Sequence, residues 1–282
     1  MWSNITRLVA AVLLSLEISD QASAFIPLPN LGLDSSQSLC VHGISMSLSL
    51  SGECLLPKLP PLRNKYYAFR HGQSTANVRG IISSSPAKGT TSHGLTETGK
   101  RQAREAAPAI VDMIGGSESL NDLIVYSSDF TRARETALEA VDEMWRMTDV
   151  SSPKPVVNIE KGLRERFFGE LDGKDLITYN DVWPLDLEDA HHNTFGVESV
   201  NTVVFRVRET IMELEERHEN KSIILTSHAD TLQILQLYVA NADVRSFSSY
   251  RFKNGEVRAL IQKPSSLPTP VPLERMAGKR NP

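Results

Sequence analysis

The chain has 282 residues, 40% apolar and 23% charged, enough for one sizeable α/β domain plus extensions and ordinary for a globular protein. Its formal net charge of -4 provides no global basic field for nucleic acid or an anionic membrane, so any phosphate affinity must come from a few focused cations. The only cysteines are Cys40 and Cys54; none follows Lys65, which excludes a disulfide scaffold, a thiolate zinc cluster and a cysteine nucleophile from the domain itself.

Residues 1–24 have the build of a secretory signal: Arg7 in the n-region, an apolar stretch from Leu8 to Leu16, and Ala22-Ser23-Ala24 as a cleavage site. The apolar stretch is about half the ~20 residues that span a bilayer, so no stable membrane anchor is expected. Residues 25–62 follow as a leader rich in Ser, Leu and Pro and expected to be disordered; a Cys40–Cys54 bridge there would need an oxidising compartment. The Ala-Ser-Ala-Phe25 junction resembles the bipartite presequences of algae with secondary plastids, which implies delivery to the plastid stroma; secretion is the alternative.

The domain is expected over residues 63–262. Lys65 to Phe69 reads as a strand entering Arg70-His71-Gly72. A helix is predicted from Leu95 to Ile114, with Thr96 as N-cap and Gly115-Gly116 as stop. Asp122 to Tyr126 is an apolar strand, and Ala133, Ala137, Ala140, Val141 and Met144 give helical spacing from about Phe130 to Met147. A strand follows at Val156 to Ile159, a helix from Glu198 to about Glu219, a strand at Ile223 to Thr226, a helix from Asp230 to Ala240 and a last strand at Glu256 to Ile261. The Pro-rich basic tail, residues 263–282, is expected to be disordered. This alternation predicts a three-layer α/β/α sandwich on a mostly parallel sheet, with ligands beyond the carboxyl ends of the strands.

Four segments fall at those ends in order: RHGQSTAN (Arg70 to Asn77), SSDFTRARETA (Ser127 to Ala137), LRERFFGELDG (Leu163 to Gly173) and TSHADTLQ (Thr226 to Gln233). Together they resemble the histidine phosphatase superfamily, branch 1, which includes phosphoglycerate mutases, and the resemblance spans about Lys65 to Ile261. It implies a phosphoglycerate mutase-like fold, a small phosphorylated substrate, no cofactor and no metal. It also implies that His71 is a nucleophile, Glu165 a general acid and His228 a second histidine that stabilises the transferring phosphoryl group. Phosphoryl transfer depends on positioning and charge neutralisation. Arg70 and Arg132 therefore stand as phosphate-binding residues, with Asn77, Gly72 and Ser74 as neutral donors and Arg134 as the competitor to Arg132. Repulsion from Arg70 and Arg132 is expected to keep His71 neutral, and the arginines near Glu165 to favour its charged form.

The mutase branch typically carries Glu-Arg-His-Tyr-Gly at the acid motif, where this chain has Glu165-Arg166-Phe167-Phe168-Gly169, with no arginine from Phe167 to Phe205. Poverty in cations there favours hydrolysis of a monophosphate over mutase-type transfer; a non-catalytic phosphate-binding role is the remaining alternative. His191-His192 reads as part of a solvated loop, Trp145 as packing, and Trp183 as packing or a rim over the pocket. No partner or oligomeric state is legible.

Overall fold

The computed structural model describes residues 38–41, 44–47, 56–148 and 152–272. The expected signal and most of the leader, the Cys40 and Cys54 side chains and the end of the tail lie outside the described residues. Strands β1 (Ser38–Val41) and β2 (Ile44–Ser47) pair as a small antiparallel ribbon.

The domain is built on a five-stranded sheet. Its strands are β3 (Lys65–Arg70), β4 (Leu123–Ser127), β5 (Val157–Ile159), β6 (Ser222–Ser227) and β7 (Val257–Ala259), in the order β5-β4-β6-β3-β7. Pairings among β5, β4, β6 and β3 are parallel, and β7 closes the far edge antiparallel to β3. The register is set by two apolar faces on each central strand. Tyr66, Ala68, Ile223 and Leu225 face one layer, and Tyr67, Phe69 and Ile224 the other, as the period of two requires of a strand buried on both sides.

Helix α1 (Thr75–Arg79) and the single turn α2 (Pro86–Gly89) lie in the loop after β3. On one face of the sheet pack α3 (Glu97–Ile114) and α4 (Thr131–Arg146), through Ala107, Ile110, Ala137 and Met144. The opposite layer holds α5 (Tyr179–Glu188), α6 (Val200–Arg217) and α7 (Ala229–Val239), through Trp183, Val204, Ile211 and Leu235. Local chemistry sets the ends of α3. Thr96 Oγ1 accepts from the Gly99 N–H at 3.1 Å, Glu97 complements the helix dipole in the first turn, and Gly115 ends the helix at φ +106°.

Two expected boundaries move. Leu56, Leu59 and Leu62 pack on the α6–α7 core, and the Tyr238 hydroxyl donates to Pro57 O, so residues 56–62 belong to the domain rather than the leader. Residues 263–272 do not behave as a disordered tail. Pro264–Ser266 form a 3-10 turn, Leu267 packs on the same core, and the Val271 N–H donates to Ser249 O at 2.9 Å. Apolar residues inside each segment find core surface, which composition alone did not signal. Among the described residues no helix is long and apolar enough to cross a membrane.

Candidate active site

Strand β3 delivers Arg70 and His71 to the carboxyl edge of the sheet. The His71 N–H donates to Ser227 O at 3.0 Å, joining the ends of β3 and β6, and Asn254 Nδ2 donates to His71 O at 3.0 Å. The loop then crosses the start of α3 at a separation only glycines allow. A Cβ on Gly72 would lie 2.3 Å from Gly99 O, and one on Gly99 would lie 2.1 Å from Gln73 O. The Gly72 N–H donates to Thr136 Oγ1 at 3.0 Å, and that hydroxyl donates to Arg132 O at 2.7 Å. Gly72 is thus committed to positioning His71 and Arg132, which corrects the expectation that its amide holds phosphate.

Ser74 caps α1 in a capping box: its hydroxyl and N–H both donate to Asn77 Oδ1, at 2.9 and 3.0 Å, and Asn77 N–H donates back to Ser74 Oγ. The Ser74 hydroxyl is therefore a structural donor, although the residue lines the pocket. Asn77 has its oxygen engaged and also lines the pocket.

The imidazole of His71 is held at both nitrogens. Nδ1 donates to Gly72 O at 2.7 Å, which leaves the lone pair on Nε2, and that nitrogen accepts from Arg132 Nε at 3.1 Å. Burial, then Arg132, then Arg70 hold the His71 pKa well below the usual histidine value, so burial outweighs the like-charge repulsion expected to dominate. Arg132 in the first turn of α4 also donates from Nη2 to Ser83 O at 2.9 Å, and burial lowers its pKa to about 10. Arg134 is exposed on another face of α4. Arg70 donates from Nη1 to Phe252 O at 2.5 Å, while its Nε has no partner among the described residues.

Glu165 lines the same pocket, because its neighbouring arginines are occupied elsewhere. Arg164 forms a fork with Asp129 at 2.9 and 2.6 Å. Arg166, completely buried, forms a second with Asp186 at 2.7 Å on each arm. Burial raises the Glu165 pKa; Arg132 and Arg70 favour its charged form, as expected, but do not outweigh burial. His228 caps α7, its ring centroid 5.1 Å from that of His71. Its Nε2 pairs with Ser128 Oγ at 3.0 Å, and its Nδ1 has no partner among the described residues. Burial first, with Arg132 next, holds its pKa well below the ordinary value.

One cavity of about 750 Å³, including its open mouth, holds Arg70, His71, Arg132, Glu165, Ser74 and Asn77. Tyr179, Trp183, Asp230, Gln233 and Arg251 line it as well. Arg251 comes from the loop before β7, so the absence of arginine from Phe167 to Phe205 does not leave the pocket without a further cation, and that argument against a mutase lapses. His191-His192 is also more than a solvated loop. His192 Nε2 lies 2.7 Å from Asp186 Oδ1, tied to the buried Arg166 pair, and His191 bonds Asn201. Among the described residues no three His, Cys, Asp or Glu are grouped to hold a metal ion.

A histidine with its tautomer fixed, two arginines and a carboxyl group are brought together in one pocket. The model of the histidine phosphatase superfamily (branch 1) matches residues 66–267, and the chain belongs to that family. It is 26% identical over 191 residues to phosphoserine phosphatase 1 of Hydrogenobacter thermophilus, covering 67% of this chain and 82% of that one. It is 27% identical over 183 residues to a metal-independent phosphoserine phosphatase of Arabidopsis thaliana, covering 61% and 67%. In fold it resembles a mycobacterial glucosyl-3-phosphoglycerate phosphatase, with TM-score 0.53 and 23% identity over 68% of this chain and 90% of that one. The chain is a phosphoric monoester hydrolase of the histidine phosphatase type.

Proposed function

We propose that the protein hydrolyses a small phosphomonoester, such as a sugar phosphate or related metabolite, in two steps through a phosphohistidine on His71. The observation that carries this reading is the clamp on His71: Nδ1 to Gly72 O, and Nε2 presented to Arg132. Nε2 attacks phosphorus as the bond to the leaving oxygen breaks, and Glu165 gives that oxygen its proton. Arg70, Arg132 and the Asn77 amide neutralise the phosphoryl oxygens. Nε2 of His228 pairs with Ser128 Oγ, and in the tautomer that carries its proton on Nδ1 His228 donates to the same oxygens. Glu165, now a carboxylate, removes a proton from water, which attacks phosphorus and releases inorganic phosphate and His71.

The test compares wild type with His71→Ala on p-nitrophenyl phosphate and a panel of metabolite phosphates. Loss of about four orders of magnitude in turnover is expected, with acid-labile phosphate trapped on the wild type alone. Equal hydrolysis by both proteins overturns the reading. Isomerisation of 3-phosphoglycerate in place of phosphate release would move it to the mutase alternative.

For location we propose the plastid stroma, on the strength of the Ala24-Phe25 junction. Plastid import that is unchanged by Phe25→Ala would count against it.

A further inference from the structure

The segment that carries Glu165 is held from behind the pocket, and Arg206 of α6 ties most of it together without lining the pocket itself. Its guanidinium uses all three nitrogens. Nε and Nη2 fork onto the Glu198 carboxylate at 2.9 and 3.2 Å, and Nη1 donates to Gly162 O at 2.6 Å. Nη2 also reaches Thr231 Oγ1 at 3.4 Å. Thr231, completely buried in α7, passes that hold forward: its hydroxyl donates to Arg164 O at 2.8 Å and lies 3.5 Å from Glu165 Oε1. Glu198 grips the far side of the segment, accepting from the Phe167 N–H at 3.1 Å through Oε2 and from Arg166 Nε at 2.6 Å through its backbone carbonyl. The residues before and after Glu165 are thus fixed by one ion pair and one hydroxyl. Glu165 Oε1 is itself committed, accepting from the Arg166 N–H at 3.0 Å.

We propose that Arg206 is a positioning residue for the reaction: from behind the pocket it fixes the segment that carries Glu165 and sets a cation beside that carboxyl without touching substrate. The proposal rests on the reading of Glu165 as the acid. With Oε1 held by the Arg166 N–H, Oε2 is the oxygen that carries the proton to the leaving group. The cation matters as well as the clamp. Burial raises the Glu165 carboxyl, while Arg132, the Arg166 N–H, Arg70 and Arg206 favour its charged form. Asp230 on α7 and Tyr179 on α5 are further titratable groups within electrostatic reach of it. Arg70 and Arg132 line the pocket and are met by phosphate in the proposed reaction, whereas the Arg206 charge stays with Glu165 in free and loaded enzyme alike.

The test uses the alkyl phosphate that wild type turns over fastest, whose leaving oxygen needs its proton. Arg206→Met should lower kcat by about tenfold to a hundredfold and leave KM within about twofold, because the acid is misplaced while the phosphate-binding residues are untouched. It should also move the alkaline limb of kcat/KM to higher pH, since a cation that favours the charged carboxyl is lost. Glu198→Gln removes the counter-ion and keeps the cation, so its limb should move to lower pH although its kcat also falls. Arg206→Lys should hold the limb at the wild-type pH and recover part of kcat. Opposite shifts from the two halves of one ion pair cannot come from a loosened segment alone. Limbs that move together or not at all overturn the proposal, as does a kcat for Arg206→Met within about twofold of wild type. If Arg206→Met fails to fold, the Arg206→Lys and Glu198→Gln profiles decide in the same way: a displaced limb in the first or an unmoved limb in the second overturns it. A wild-type limb retained by Glu165→Gln would instead remove Glu165 as the acid. A limb abolished by Glu165→Gln and unmoved by the Arg206 and Glu198 variants sinks this inference alone.

Discussion

Arg132 Nε donates to His71 Nε2 at 3.1 Å, so the guanidinium that neutralises phosphate in the proposed reaction also fixes the His71 ring before substrate arrives. Its other two nitrogens donate to Ser83, Nη2 to the carbonyl at 2.9 Å and Nη1 to Oγ at 3.4 Å, which anchors the guanidinium to the loop after α1. Arg132→Lys keeps the charge and loses the fork, and is expected to lower kcat/KM by about 10²–10³-fold. Steady-state kinetics on a non-carboxylated substrate measures this, and a fall below threefold would remove Arg132 from the phosphate site.

The acid limb of the pH profile should be set by groups other than Glu165. His71 is held well below the ordinary histidine value and stays an unprotonated nucleophile into mildly acidic solution. Glu165 is raised above the usual carboxyl value, so its protonated form persists to higher pH and activity falls as pH rises through that value. Glu165→Gln should abolish that alkaline limb. It should slow alkyl phosphates by about 10²–10⁴-fold, while the first release of p-nitrophenolate in a single turnover is slowed much less because p-nitrophenolate departs without a proton; steady-state turnover of both falls, since Glu165 also serves the second step. An unchanged alkaline limb in the variant would contradict the assignment.

Asp230 carries a stability prediction. Its carboxyl is pushed up to about 7 by burial first and then by Glu165. The folded state therefore binds more protons than the unfolded state between the ordinary aspartate value and about pH 7, and stability must decline as pH rises across that window. Asp230→Asn cannot titrate. The urea midpoint of wild type should drop more between pH 4 and pH 7 than that of the variant, and parallel curves would refute this.

The fully buried Arg166–Asp186 pair stands next to Glu165 in sequence, with Arg166 Nε also donating to Glu198 O at 2.6 Å. Asp186→Ala leaves a buried guanidinium without its counter-ion and should cost about 3–5 kcal/mol in denaturant unfolding. A loss under ~1 kcal/mol would mean that water or Asp230 replaces the lost partner.

Gly72→Ala tests the close crossing. The added methyl meets Gly99 O, which is backbone and cannot swing aside, so a loss of about 1–3 kcal/mol is expected together with reduced turnover from a displaced His71. Retention of both stability and kcat would show that the loop yields without moving the histidine.

Much of this site was legible because its parts lie where a strand or helix ends. The apolar run of β3 places Arg70 and His71, and the spacing through Met144 places Arg132 on the buried side of α4 with Arg134 outside. The Thr96 and Gly115 caps are local chemistry and gave α3 within two residues. Three-dimensional partners were not legible. Arg251 reaches the pocket, and Asn254 the His71 carbonyl, from a loop far along the chain from His71, without a periodic signal. Helix α5 was hidden by Pro184 in its interior and a weak apolar face, and with it the buried Asp186 that ties down Arg166 and His192. Burial also had to be seen before its effect on His71 and Glu165 could be ranked above that of the arginines.

Glu215 accepts from the Arg63 N–H at 2.6 Å, from Asn64 Nδ2 at 2.9 Å and from the Tyr66 hydroxyl at 2.7 Å. That cluster sits where β3 begins, at the amino edge of the sheet, and Pro57 docks on Tyr238 near the end of α7 on the same side. Pro57 therefore lies at the pole opposite the pocket, and a substitution made there acts on the amino edge of the sheet without touching the residues that line the pocket.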